Sequence, residues 1–298
     1  KPLYTHEDVS EIALLVGTKK GAFIYYSSQK RLHWEVNGPH FLGSIIYHIV
    51  MDPRDNKTIL LVTKNRHFGC NIYRSTNLGK TWIKAQIPPA FHISKNKSLV
   101  VNYTFCLCPG HQSEPRVWYA GTSPQGLFRS EDNGNTWFSV DGFNKHPMRS
   151  KWIGEMLDET SCSSKLHSIL IDPRDKNHMY ISLSIGGTFE SIDQGETWEP
   201  LNNGIVANLI SDSSPLFGQD PHCVLLHPNK PDRIYQQNHY GIYKIDRPNN
   251  TWIRIGDNMP TDIGDIGFPI VVHPRDPDTI WVFPMDGNDV WPRVSLDG

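Results

Sequence analysis

The stretch Ser191–Trp198, SIDQGETW, sets two carboxylates, a glycine, two hydroxyls and an indole close together. Taken alone it reads as a catalytic signature. It is not alone. SEDNGNTW occupies Ser130–Trp137 and STNLGKTW occupies Ser75–Trp82, while the looser KIDRPNNTW and YSSQKRLHW end at Trp252 and Trp34. A residue set that returns at intervals of roughly fifty positions is an architectural unit, the mark of propellers and solenoids. Each residue type has a turn-building role. Asp132 and Asp193 accept backbone N–H groups from the residues that follow. Gly79, Gly134 and Gly195 supply positive φ without a Cβ clash. Thr81, Thr136 and Thr197 open the next strand, and each Trp buries a large ring against the neighbouring unit. The boxes are scaffolding.

The longer repeat is clearest in HSILIDPRDKNHMYISLSIGGTFESIDQGETWEPL, His167–Leu201. An apolar run meets a DPRD turn, MYISLS follows, a glycine turn leads to GTFES, and the Trp opens a fourth run. Four short strands joined by turns predict an up-and-down antiparallel sheet. DPRD begins at Asp52 and Asp172, with HPNK at His227 and HPRD at His273 in the same slot. The expected fold is all-β: a β-propeller of four-stranded antiparallel blades with Asp-box turns, a single domain over 1–298. The ends differ from the rest. EIALLVGTKKGAFIYYS, from Glu11, reads as second and third strands, and FPIVVHPRDPDTIWVFP, from Phe268, as a first and second. Five and a half units are represented, so the expectation is a ring lacking its C-terminal blade or blades, with the first unit short of its innermost strand.

A net charge of −2 argues against a nucleic-acid partner, which calls for a basic excess. No apolar run reaches the ~18 residues of a membrane span, and KPLYTHEDVSE at the N-terminus has no signal-peptide core. Cys70, Cys106, Cys108, Cys162 and Cys223 fit no disulfide or zinc spacing. Buried free thiols point to a reducing, cytoplasmic setting.

The boxes resemble the Asp-box, or bacterial neuraminidase repeat, propellers over nearly the whole chain. GTKKGAF, GPHFLGS, DPRD and YQQNHYGIY bring it closer to bacterial repeat proteins described as sialidase-like or photosystem-II-assembly-factor-like. That resemblance implies seven blades in the full protein. It also implies that the starts of first strands share one face with the loops between second and third strands, and that the boxes lie opposite.

Alignment on the DPRD-type turns then gives a column of Tyr47, Tyr103, His167, His222 and Phe268, with His48 next along. The second-to-third-strand loops add Arg66, His67 and His239. The expectation is a ligand pocket at the channel mouth lined by His48, Arg66, His67, Tyr103, His167, His222 and His239, suited to a glycan or small anion. No H-x-H or H-E-x-x-H spacing is present, so no metal or cofactor is expected. Glycoside hydrolysis needs carboxylates. Glu155 in the long loop before His167, and Asp220 beside the histidine column, are the candidates for catalysis. A true sialidase is disfavoured: the arginine-bearing F/Y-R-I-P segment of those enzymes is absent, and only Arg66 and Arg149 are placed to face the channel. The expected function is a carbohydrate-active, glycoside-hydrolase-like propeller. The alternative is a non-catalytic binding or assembly scaffold with a protein partner, like the photosystem II factors.

Overall fold

The computed structural model describes residues 12–91, 99–153, 164–206, 216–260 and 262–284. Four antiparallel sheets have four strands each, taken in chain order. The first holds β4 (Ile45–Met51), β5 (Ile59–Asn65), β6 (Gly69–Ser75) and β7 (Ile83–Lys84). The second holds β8 (Tyr103–Pro109), β9 (Trp118–Ser123), β10 (Gly126–Ser130) and β11 (Phe138–Ser139). The third holds β12 (Leu166–Ile171), β13 (Met179–Leu183), β14 (Gly187–Ser191) and β15 (Glu199–Pro200). The fourth holds β16 (Pro221–His227), β17 (Lys230–Asn238), β18 (Gly241–Asp246) and β19 (Ile253–Arg254). A three-stranded sheet, β1 (Ile12–Thr18), β2 (Gly21–Ser27) and β3 (Glu35–His40), precedes them, and a hairpin, β20 (Gly267–Val272) and β21 (Ile280–Pro284), follows. Two short helices, α1 (Asp141–Asn144) and α2 (Arg149–Trp152), follow β11. The architecture is that of successive propeller blades. Among the described residues, no helix is long and apolar enough to cross a membrane.

The first strands β4, β8, β12, β16 and β20 pack side by side in chain order. β1 is a second strand in this scheme. A Cβ on its Gly17 would sit 3.0 Å from Ile46 of the next first strand, and a Cβ on Gly121, in second strand β9, would sit 2.5 Å from the carbonyl of Leu166. Glycine at this place lets the next blade's first strand approach. Within the described residues, then, the first sheet starts at a strand equivalent to the second strands of the others.

The core lies between sheets. Leu60, Val62 and Ile72 pack with Leu107, Trp118, Ala120 and Phe128 of the next sheet, and Tyr119 and Leu127 pack with Leu166, Met179, Ile181 and Phe189 of the one after. Alternate residues of a strand point to opposite faces. Leu61 accordingly turns back to Ala22 and Ile46 while Leu60 and Val62 face forward. The second strands β5, β9, β13 and β17 are therefore buried on both faces, which explains their unbroken apolar runs better than the half-buried pattern.

The boxes are turns built as expected. Asp193 Oδ1 accepts the Thr197 N–H at 2.9 Å, its carboxylate also takes the Thr197 and Ser191 hydroxyls, and Ser191 Oγ accepts the Gly195 N–H at 2.8 Å. The box at Ser130 repeats this, and Asn77 takes the Asp role at Ser75. Gln194 and Gly195 both have positive φ, 63° and 92°. Trp137 and Trp198 are buried and donate from Nε1 to the box glycine carbonyl.

At the DPRD turns Asp52 is buried and holds Arg54 through two oxygens, and Arg54 Nη1 then reaches the Gly110, Glu114 and Val117 carbonyls of the next sheet. Arg174 pairs with Asp172 and reaches Asp232. His227 and His273 replace the aspartate by accepting backbone N–H groups on Nδ1. Cys70, Cys106, Cys108 and Cys223 are free thiols, and burial pushes Cys108 up to about 12. Cys162 lies outside the described residues.

Candidate functional site

Every first strand carries an irregularity near its start. The ladder skips Tyr47 in β4, Phe105 in β8, His167 in β12, His222 in β16 and Phe268 with Pro269 in β20. A β-bulge leaves its extra residue out of the ladder and re-aims its side chain, and bulges are common beside binding sites. Four members of the column read from the sequence hold these positions. In the second unit the position belongs to Phe105, not Tyr103. That unit has Gly110-His111-Gln112-Ser113 in place of a DPRD turn, with Gly110 in the Asp52 slot: the Gly110 N–H bonds to Val117 O as the Asp52 N–H bonds to Thr58 O.

At the same end, the turns after second strands return beside the starts of first strands. Asn238 pairs with Pro221 in the ladder, so the chain after β17 comes back over Asp220, and the His239 N–H donates to the Asp220 carbonyl at 3.0 Å. Asn238 Oδ1 accepts the Tyr240 N–H and tightens the turn. The boxes, between third and fourth strands, are at the opposite end.

This arrangement gathers Asp220, His222 and His239. Asp220 Oδ2 lies 3.4 Å from His222 Nε2 and 3.8 Å from His239 Nδ1. Asp220 Oδ1 accepts the N–H of Ile185 from the preceding sheet at 2.9 Å. Ile185 is β-branched yet has φ 64°, a left-handed conformation that costs such a residue about 1–3 kcal/mol and is typical of functional sites. His222 Nδ1 lies 2.6 Å from the Gly267 carbonyl, and its ring stacks on Phe268 at 4.4 Å. His239 meets His222 edge to face. Its side chain is 43% exposed, against 13% for Asp220 and 8% for His222. The three residues each offer one ligand atom, all within 4.8 Å of one another.

Burial opposes the charge on Asp220, yet His222, the Ile185 N–H and His239 hold its carboxyl below the usual range. His167 is buried beside this group, and burial depresses it to about 3. Its Nδ1 meets the Ser168 hydroxyl at 2.9 Å. Lys165, which the sequence reading passed over, lies over the Phe105 ring at 5.3 Å; burial lowers its pKa, and Asp220 opposes that shift.

The other candidates stand apart. His48 follows its bulge and turns to the next sheet, where Nδ1 accepts the Leu107 N–H at 3.1 Å. Tyr103 is buried and stacks on Tyr47 at 4.3 Å, with Lys64 over its ring. Arg66 and His67 are exposed on the turn between β5 and β6, where Asn65 Oδ1 accepts the His67 N–H. Glu155 lies outside the described residues. A separate cavity of about 270 Å³ lies between His146, Trp152, Trp198, Glu199 and Phe217.

No family model matches the sequence. Over 82 residues, 27% of this chain, it is 30% identical to an oligoxyloglucan-reducing end-specific xyloglucanase of Emericella nidulans. Among solved structures, an ancestral GH74 enzyme aligns over 88% of the chain with TM-score 0.54 and 16% identity. The GH74 xyloglucanase of Xanthomonas campestris aligns over 94% with TM-score 0.50 and 13% identity. The chain spans 8% of the Emericella enzyme, 32% of the ancestral one and 52% of the Xanthomonas one. These likenesses establish the propeller fold.

Proposed function

We propose that the protein is a carbohydrate-active propeller that binds a glycan at the end bearing Asp220, His222 and His239. The observation that carries this reading is a half-exposed Phe268 ring, stacked on His222, beside an ionised carboxylate and an accessible imidazole. A flat aromatic face covers the C–H face of a sugar, and carboxylate and imidazole take its hydroxyls. The xyloglucanases among the similar proteins make a β-glucan the first glycan to try. Hydrolysis would need a second carboxyl beside the ionised Asp220; Glu155 is the candidate the sequence offers.

The test is calorimetric titration with xyloglucan oligosaccharides and a panel of neutral and acidic glycans. Phe268→Ala is expected to weaken binding about tenfold, some 1.4 kcal/mol, and His239→Ala comparably. Reducing-end release that is lost in Glu155→Gln identifies a hydrolase. Binding without release favours a binding module. No binding to any of the panel, or binding indifferent to both substitutions, overturns the reading.

A further inference from the structure

We propose that Asp220 Oδ2, His222 Nε2 and His239 Nδ1 form a binding site for a divalent first-row transition ion of the Zn²⁺ type, with a coordination position left open on the solvent side. This goes beyond the glycan reading and does not depend on it.

The first argument is the hydrogen-bond pattern of His222. The Gly267 carbonyl only accepts, so the 2.6 Å contact fixes the proton on Nδ1. Nε2 is the ring nitrogen left for the carboxylate, and it faces an Asp220 oxygen 3.4 Å away. With Nδ1 alone protonated, both facing atoms are acceptors and repel. An imidazolium in the same place would draw the oxygen to about 2.7–2.9 Å. The observed 3.4 Å contact is longer than that and leaves space for a cation between the two atoms.

The second argument is distance. Zinc binds imidazole nitrogen and carboxylate oxygen at about 2.0–2.2 Å, and the edge of a tetrahedron of that size is about 3.4 Å. The Asp220–His222 contact is 3.4 Å and the Asp220–His239 contact 3.8 Å. A small rotation of the half-exposed His239 ring closes the rest.

The third argument is the support around the ligand atoms. A metal-bound histidine typically donates its other ring N–H to a backbone carbonyl, and its partner carboxylate is itself hydrogen-bonded. His222 does the first through Gly267, and Asp220 does the second through the strained Ile185. Three protein ligands with an exposed edge match the pattern of zinc sites that keep a position for water or a ligand oxygen. The sequence brought these three residues to one mouth but offered no metal-ligand spacing, because Asp220-Pro221-His222 and His239 come from opposite ends of a hairpin.

The test uses the whole chain, stripped with a chelator and titrated with Zn²⁺ alone, with no glycan present. One equivalent is expected to bind. Co²⁺ in its place should give visible absorption bands of the intensity that low-coordinate cobalt shows. Asp220→Asn, which keeps an acceptor for Ile185, and His239→Ala, on a half-exposed turn, are each expected to weaken binding at least about 100-fold. His33→Ala, an exposed histidine elsewhere, should bind as the parent does. Circular dichroism confirms that the variants are folded. Failure to take up one equivalent at 100 micromolar order concentrations, or uptake unchanged in both ligand variants, overturns the proposal. Because the titration contains no glycan, its failure leaves the glycan reading standing, and failure of that reading leaves the metal site standing.

Discussion

His48 and His222 occupy neighbouring columns in the sequence and have different surroundings. His222 is the bulged residue of its strand, and His48 is one residue past the bulge. One step along a strand exchanges faces. His48 therefore enters the seam between two first strands, and burial depresses it to about 4. The sign of its pH effect follows. The unfolded chain binds the proton near pH 6.5 and the folded chain does not, so the unfolded state gains protons first as pH falls. The contribution of His48 is complete above pH 6.5 and is lost as pH drops toward 4, to a total of about 3 kcal/mol. His48→Gln retains an acceptor for Leu107 and cannot titrate. Urea denaturation between pH 7.5 and 4 should show a smaller loss of stability in the variant; equal losses would remove His48 from the account. The histidine column was legible because first strands start at a fixed distance before their turns. The partners were not, since Leu107 N–H, Gly267 O and Ile185 N–H are backbone groups that leave no side-chain trace.

Among the elements, the box turn is the most repeated and the most legible. Its residues make the same bonds at Ser130 and Ser191, and at Ser75 with Asn77 in place of Asp. Asp193→Ala removes an acceptor for one backbone N–H and two hydroxyls. Melting or urea curves should register a loss of about 1–2 kcal/mol. Glycan and Zn²⁺ affinity should not change, because the box lies at the far end of the strands. Unchanged stability with lost binding would reassign the box. The sequence misaligned one element, β8, because its following turn has lost the Asp-Pro or His-Pro start that marked the others, while its geometry survives in the Gly110 bond to Val117. The pairing of strands was readable from the order of apolar runs and turns in each repeat. The two-sided burial of second strands became clear only with the sheets stacked.

Across the whole molecule, the sheets are tied in sequence by arginines from one blade into the next. Arg54 has a side chain 7% exposed and reaches three carbonyls of the following sheet, whereas Arg174, 51% exposed, reaches Asp232. Arg54→Ala strands the buried Asp52 charge and should cost about 3–5 kcal/mol. Arg174→Ala should cost clearly less, since water screens its outward bond. A reversed order in denaturation curves would show that these ties do not hold the sheets. Such a fastening has a mechanical side. Each sheet grips only its neighbours, so force applied to the two ends loads one seam at a time, and the chain should yield as a staircase. From Trp82 to Trp137 a unit is about 55 residues, and each step would pay out roughly 190 Å of contour at ~3.4 Å per residue. The propeller would then behave as a row of separate clutches, with the seam closed by Arg54 the last to slip.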